Sequence, residues 1–142
     1  MMALVSSCLG LKFLILKSCK IKYKGYFLSN LKNLLKQDNI SSQELVKLLE
    51  ARKNGQIDFK LIDIREPFEY KEAHIVGTDE LLPTSRFQEW ASQLIERKDE
   101  NMIIYCRTGN RTGQVQAILR QNGLSLPHLT YGIMSYGGEI EG

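Results

Sequence analysis

The stretch Met102–Gln114, M-I-I-Y-C-R-T-G-N-R-T-G-Q, holds the residues of this sequence that are best suited to chemistry. Its apolar run, Met102–Tyr105, stops at Cys106, and six residues rich in Gly, Thr, Asn and Arg follow before an amphipathic segment begins. This pattern predicts a buried strand, a tight loop and the start of a helix. The thiol would then lie at the carboxyl end of a strand and over a helix N-terminus, where free N–H groups and the helix dipole favour anions. Such a place suits a thiolate and the anion that it attacks.

The loop after Cys106 offers a ring of backbone N–H groups and two positive charges. Gly109 and Gly113 permit tight curvature and positive φ angles, and Arg107 and Arg111 supply the charge. Because these features stabilise a thiolate and an anion held in the loop, the sequence predicts a nucleophilic cysteine near neutral pH. The alternative is a buried cysteine that packs as a small apolar residue, but two arginines and a Gly-rich turn are a poor setting for an inert thiol.

The composition is that of one globular domain with a basic N-terminal arm. The 142 residues are 43% hydrophobic and 25% charged, with a net charge of +3, and this length can form a core. Residues 1–36 hold seven lysines and no acidic residue, whereas residues 37–142 hold 12 basic and 16 acidic residues. We therefore predict an arm over 1–36 and a domain over 37–142. We expect no nucleic-acid binding, because the domain has no stripe of Arg and Lys interleaved with aromatic residues.

The cysteines and histidines indicate neither a disulfide framework nor a metal site. The three cysteines, Cys8, Cys19 and Cys106, are odd in number, and their spacing fits no metal-binding pattern. The two histidines, His74 and His128, lie far apart in the sequence, so we expect no zinc site.

The N-terminal arm carries only incomplete targeting signals. Ala3–Leu16 is largely apolar but contains Ser, Gly and Lys residues, which makes it too short and too interrupted for a transmembrane span. A signal peptide would need a charged start and a clean cleavage site, and neither is present. We therefore expect a disordered or accessory extension on a cytoplasmic protein, with a targeting or membrane-associating segment as the alternative.

The remaining patterns predict strands that alternate with helices. We predict strands at 38–40, Phe59–Ile64, Glu80–Leu82, Met102–Tyr105 and Leu126–Thr130, and helices at Phe27–Lys36, from the capping sequence at Ser41 to Asn54, at Arg86–Arg97 and at Thr112–Gln121. Arg65–Ala73 is predicted to be a charged loop, and Tyr131–Gly142 a Gly-rich tail with one helical turn. Several strands are apolar on both faces, which favours an α/β fold with a mainly parallel central sheet and helices on both faces. Because ligand sites in such folds lie at the carboxyl ends of strands, we expect Cys106 and Asp63 to be neighbours.

Three motifs, in this order, resemble the rhodanese-like family of sulfurtransferases over about residues 40 to 136. Asp63–Tyr70, D-I-R-E-P-F-E-Y, with H-I-V-G after it, is similar to the family's D-x-R-E-x-x-E-[FY]…H-I-x-G signature. Cys106–Arg111, C-R-T-G-N-R, is similar to its active loop, C-R-x-G-x-R. Leu129–Ile133, L-T-Y-G-I, is similar to the closing L-x-G-G-x-x-x-W stretch, although Tyr131 replaces the first Gly and Tyr136 the Trp.

The resemblance implies a rhodanese-like fold and a reaction without metal or organic cofactor. In this family the cysteine takes the outer sulfur of a donor such as thiosulfate, becomes a persulfide, and passes the sulfur to cyanide or a thiol. Cys106 would be the catalytic sulfur carrier. The substrate-binding residues would cradle the persulfide through backbone N–H groups and attract an anionic donor through the arginines; they are Arg107, Thr108, Gly109, Asn110 and Arg111. The implied partners are a small anionic donor, a thiol or cyanide acceptor and a protein sulfur acceptor, and we expect a monomer or a weak dimer.

Residues outside the loop have structural interpretations. Asp63 and Arg65 would support the loop, Asp63 by accepting N–H hydrogen bonds. Arg65 with Glu66 and Glu69 would form an ion-pair network at the surface, where each pair contributes little energy. His128 would be a surface or sheet residue.

Two other functions stay open. A related cysteine phosphatase would have five residues between its Cys and Arg, whereas four separate Cys106 from Arg111, and the shorter loop fits a sulfur atom better than a phosphoryl group. A non-catalytic rhodanese-like binding module would typically lose the cysteine, which this chain keeps.

Overall fold

A computed structural model describes the backbone of residues 2–142 and the side chains of residues 17–142. The helices of this part of the chain are α1 (Met2–Leu34), α2 (Ser42–Lys53), α3 (Pro67–Glu72), α4 (Phe87–Glu96) and α5 (Asn110–Gln121). The strands are β1 (Asn39–Ile40), β2 (Lys60–Asp63), β3 (His74–Ile75), β4 (Glu80–Leu81), β5 (Met102–Tyr105), β6 (His128–Leu129) and β7 (Ile140–Glu141). Short 3₁₀ turns cover Thr84–Arg86 and Ile133–Ser135.

The central sheet has the strand order β1-β6-β5-β2-β4, and every pair in it is parallel. β2 and β5 pair along their whole length, from Lys60 opposite Met102 to Asp63 opposite Tyr105. The carboxyl ends of β2 and β5 therefore lie side by side, which brings Asp63 next to the residue that precedes Cys106. A separate antiparallel pair joins β3 to β7 in the tail.

The core consists of two clusters, one on each face of the sheet. Successive side chains of a strand point to opposite faces, so Leu61 and Ile103 pack in one cluster and Ile62 and Ile104 in the other. The first cluster contains buried residues of α2 and the end of α1, and the second those of α4 and α5. Helices cover both faces of a parallel sheet, which confirms the predicted fold class.

The predicted loop at Arg65–Ala73 is wrong, because α3 occupies its middle. Pro67 is the first residue of the helix, where its fixed φ suits the helix and its missing N–H is not needed. The backbone N–H of Glu66 donates to the Glu69 carboxylate at 2.8 Å, which closes the helix start. Pro67 therefore begins a helix within the segment that was predicted to be a loop.

The helix predicted at Phe27–Lys36 is present to Leu34, but it begins much earlier, at Met2, so a disordered N-terminal arm is wrong. α1 runs unbroken to Leu34, since this segment has no proline and is rich in the helix formers Leu and Lys. Between residues 17 and 30 its side chains are exposed or half-buried, and the first buried one is Leu31. No helix in the described part of the chain combines the length and apolar character that a membrane crossing requires.

Candidate active site around Cys106

Cys106 lies where a strand, a tight turn and a helix meet, as predicted. β5 ends at Tyr105, and α5 begins at Asn110, two residues earlier than expected. Gly109 precedes the helix with a φ of 97°, a left-handed conformation that favours glycine. A Cβ atom at Gly109 would also lie 3.2 Å from the backbone nitrogen of Tyr131. The turn and the neighbouring chain therefore both favour glycine at this position.

The sulfur of Cys106 is buried and has two polar neighbours. The backbone N–H of Gly109 donates to Sγ at 3.1 Å, and Oγ1 of Thr112 lies 3.6 Å from it. Both neighbours belong to the start of α5, where free N–H groups and the helix dipole favour negative charge. Cys106 has no exposed surface, so this environment acts on the sulfur without screening by water.

The other residues of the predicted substrate-binding set lie at different depths. Arg107, Thr108 and Asn110 are exposed, whereas Gly109 and Arg111 are half-buried. Gly109 is the member of this set whose backbone N–H has a hydrogen bond to the sulfur.

Arg111 is held by Glu69 rather than pointing freely into solution. Two guanidinium nitrogens of Arg111 donate to the two carboxylate oxygens of Glu69 at 2.7 and 2.8 Å. This two-pronged pair joins α3 to the first turn of α5 and lowers the pKa of Glu69 to about 2. Glu69 is thus not part of a surface network with Arg65, and the prediction of that network is wrong.

Asp63 and Arg65 form a buried pair at the end of β2. Asp63 accepts the backbone N–H of Arg65 at 2.9 Å and also the Arg65 guanidinium, at 2.8 Å for the shortest contact. The same guanidinium donates to the backbone oxygen of Ala73 at 2.7 Å, which fastens the chain leading into β3. Its centre lies 5.6 Å from the ring centroid of Tyr105, the residue before Cys106. Arg65 is only 5% exposed, so its expected surface position is wrong.

The segment after β6 packs against the backbone of the loop that carries Cys106. The backbone N–H groups of Ile133 and Met134 donate to the carbonyl oxygens of Cys106 and Arg107 at 2.9 and 3.1 Å. A Cβ atom at Gly132 would collide with the backbone of both residues, so the chain can approach the loop this closely only with glycine. These contacts fix the position of the loop carrying Cys106.

His128 is a part of the site that the sequence analysis missed. It lies in the sheet, as predicted, but it is buried rather than at the surface. Its Nδ1 atom is 2.6 Å from Oγ1 of Thr112, and its Nε2 atom is 3.0 Å from Oδ1 of Asn39. No spacing in the sequence signals this contact, because it depends on β6 lying next to β5, with His128 opposite Ile104.

Among the side chains of residues 17–142, no group of three or more His, Cys, Asp or Glu residues could hold a metal ion. Cys19 is exposed on α1, and the Cys8 side chain is outside the described residues.

Known proteins resemble the chain over most of its length. The family model of the Rhodanese-like domain matches residues 41–139. The uncharacterized protein YqhL of Bacillus subtilis is 30% identical over 105 residues, which are 72% of this chain and 81% of that protein. Thiosulfate sulfurtransferase PspE of Escherichia coli K12 is 29% identical over 62 residues, which are 44% of this chain and 59% of that protein. Of some other curated relatives the chain spans only 26%.

A solved structure has a similar fold. The crystal structure of a rhodanese-like domain protein from Staphylococcus aureus matches with a TM-score of 0.59 and 26% identity. The match covers 74% of this chain and 97% of that one.

Proposed function

Because the chain belongs to the rhodanese-like domain family, we propose that it is a sulfurtransferase that takes sulfur from thiosulfate and carries it as a persulfide on Cys106. The observation that carries this proposal is the position of the sulfur at the start of α5, 3.1 Å from the N–H donor of Gly109. The similarity to a thiosulfate sulfurtransferase supports thiosulfate as the donor.

The first half of the reaction loads the sulfur. The thiolate of Cys106 attacks the outer sulfur of thiosulfate, the S–S bond of thiosulfate breaks, and sulfite leaves with the bonding electron pair. The product is a persulfide that carries its negative charge on the outer sulfur. The dipole of α5 and the N–H of Gly109 favour negative charge at this place, and the exposed guanidinium of Arg107 attracts the anionic donor.

The second half of the reaction returns Cys106 to its thiolate. Cyanide, or the thiolate of a small molecule or a protein, attacks the outer sulfur, and the S–S bond of the persulfide breaks. Thiocyanate leaves when the acceptor is cyanide, and a persulfide of the acceptor forms when it is a thiol. Arg111 keeps its orientation through Glu69 during both steps, so we assign it to positioning the loop as well as to attracting anions.

The test is the intact mass of the protein after incubation with thiosulfate and then with cyanide, beside a Cys106→Ser control. We expect a gain of one sulfur atom in the original protein, its absence in the control, and its loss to cyanide with release of thiocyanate. No adduct and no thiocyanate would overturn thiosulfate as the donor. Hydrolysis of an aryl phosphate that disappears in Cys106→Ser, without any sulfur adduct, would instead favour a phosphatase.

A further inference from the structure

A path of polar side chains connects the sulfur of Cys106 to the exposed edge strand β1 of the sheet. It runs from Sγ of Cys106 to Oγ1 of Thr112 (3.6 Å), from there to Nδ1 of His128 (2.6 Å), and from Nε2 of His128 to Oδ1 of Asn39 (3.0 Å). Cys106, Thr112 and His128 are buried, and Asn39 is exposed. Four different elements of the fold contribute to this chain: the end of β5, and α5, β6 and β1.

The donors and acceptors of this chain define the state of His128. The amide oxygen of Asn39 can only accept a hydrogen bond, so Nε2 of His128 carries a hydrogen. Burial lowers the pKa of His128, which keeps the ring neutral near pH 7 and leaves Nδ1 as an acceptor. The hydroxyl of Thr112 then donates to Nδ1 at 2.6 Å, a shorter contact than its 3.1 Å approach to the Gly109 carbonyl. Its oxygen lone pairs are left to accept from the Cys106 thiol.

We propose that His128 accepts the proton of Cys106 through the hydroxyl of Thr112. The S–H bond breaks while Thr112 gains that proton on Oγ1, and the original hydroxyl proton of Thr112 passes to Nδ1 of His128. The products are a thiolate, an intact hydroxyl and an imidazolium ion, so no proton is lost from the chain. His128 does not contact the sulfur; it acts through Thr112, as a positioning residue that holds the proton on Nδ1.

Each group of the chain keeps its partners after the transfer. The thiolate accepts from the N–H of Gly109 and from the hydroxyl of Thr112. The imidazolium donates from Nδ1 to Thr112 and from Nε2 to Asn39. The same distances therefore serve both protonation states, and no side chain needs to move.

The surroundings explain why such a path is useful. Cys106 is buried, and the hydroxyl of Thr112 is a polar side-chain group beside its sulfur that can pass on its proton. The charge of Asp38, on the loop before β1, favours the imidazolium form of His128. Asp38 itself pairs with Arg120 of α5 at 2.8 Å. At the other end of this hydrogen-bonded path, the negative charge of the Cys106 thiolate also favours the imidazolium form of His128.

The inference concerns the ionisation of Cys106 and holds for any reaction in which this thiol attacks, so it can be tested without sulfur transfer. The test measures the rate of alkylation of Cys106 by iodoacetamide as a function of pH, in protein whose Cys8 and Cys19 are replaced by Ser. The key variant is His128→Asn, since its amide oxygen can still accept from Thr112 but cannot take up a proton. We expect the midpoint of its pH profile to rise by about one pH unit, which lowers the rate about tenfold at pH values below both midpoints.

Four further variants separate the relay from a structural effect. Thr112→Val should shift the profile as His128→Asn does, and the double variant should shift it no further, because both changes interrupt one path. Thr112→Ser keeps the hydroxyl and should restore the original midpoint. His74→Asn is the matched control, because His74 contacts Tyr70 and Glu141 rather than this chain. Profiles of His128→Asn and the parent that coincide, or shifts that add in the double variant, would overturn the relay.

Discussion

Tyr131 and Gly132, in the turn after β6, both have φ angles in the left-handed region, and only one of them is a glycine. Gly132 has a φ of 64° and faces the backbone of Cys106 and Arg107, so its lack of a side chain serves a close contact. Tyr131 has a φ of 65° and is 71% exposed. A side chain costs about 1 kcal/mol in this conformation, and at Tyr131 the exposed ring offers little burial in return. This is the position at which the chain departs from the Gly-Gly pair of the motif it resembles.

Replacing Tyr131 with Gly should therefore stabilise the protein. We expect the free energy of unfolding to rise by about 0.5–1 kcal/mol, because glycine adopts this φ without strain. Urea unfolding monitored by circular dichroism measures the change, and Tyr131→Ala serves as the control because it removes the ring but keeps Cβ. If Tyr131→Ala stabilises the protein equally, the ring rather than the backbone angle is responsible.

At the scale of elements, the pair between Glu69 and Arg111 fastens α3 to the helix that begins beside Cys106. Glu69 lies near the start of the six-residue α3, and Arg111 in the first turn of α5. The pKa of Glu69 is lowered from 4.5 to about 2, chiefly by the hydrogen bonds from Arg111. A depressed carboxyl pKa contributes stability that is present above the ordinary pKa and is lost as the pH falls through the depressed one.

The stability of the protein should consequently fall with acid in a way that depends on Glu69. Between about pH 4.5 and pH 2 the melting temperature of the original protein should drop more steeply than that of Glu69→Gln, which has no proton to gain. Glu89→Gln is the matched control, since its pair with Arg86 is largely exposed and contributes little. Parallel acid curves for the original protein and Glu69→Gln would show that this pair does not stabilise the fold.

The elements that local patterns specify were predictable, and those that depend on distant contacts were not. The apolar run before Cys106 and the glycine after it predict the strand and the turn, because each signal lies within a few residues. The ion pair of Arg111 bridges 42 positions in the sequence, and the contact of His128 with Thr112 requires the sheet order. The sequence therefore predicts the position of Cys106 and its loop, but it does not reveal which distant side chains contact them.

At the scale of the whole molecule, the part of the N-terminal helix whose side chains are described, residues 17–34, joins one of the two cores through its last turns. Leu31 is 3% exposed and packs in the cluster that also contains Leu35, just after the helix, together with residues of α2. The preceding side chains, from residue 17 to residue 30, are exposed or half-buried. Burial of each leucine contributes about 1.5–3 kcal/mol, so the stability that this segment gives the domain is concentrated in residues 31–35.

Two truncated chains should therefore differ sharply in stability. Removing residues 1–25 should change the free energy of unfolding by no more than about 0.5 kcal/mol, because the described side chains that it deletes are exposed. Removing residues 1–36 deletes Leu31 and Leu35 and should cost about 3 kcal/mol or more. Urea unfolding of both chains beside the full chain measures the difference, and the variant Leu31→Ala in the full chain should reproduce part of the larger loss. Equal losses from the two truncations would mean that the first 25 residues stabilise the domain through contacts other than those of residues 31–35.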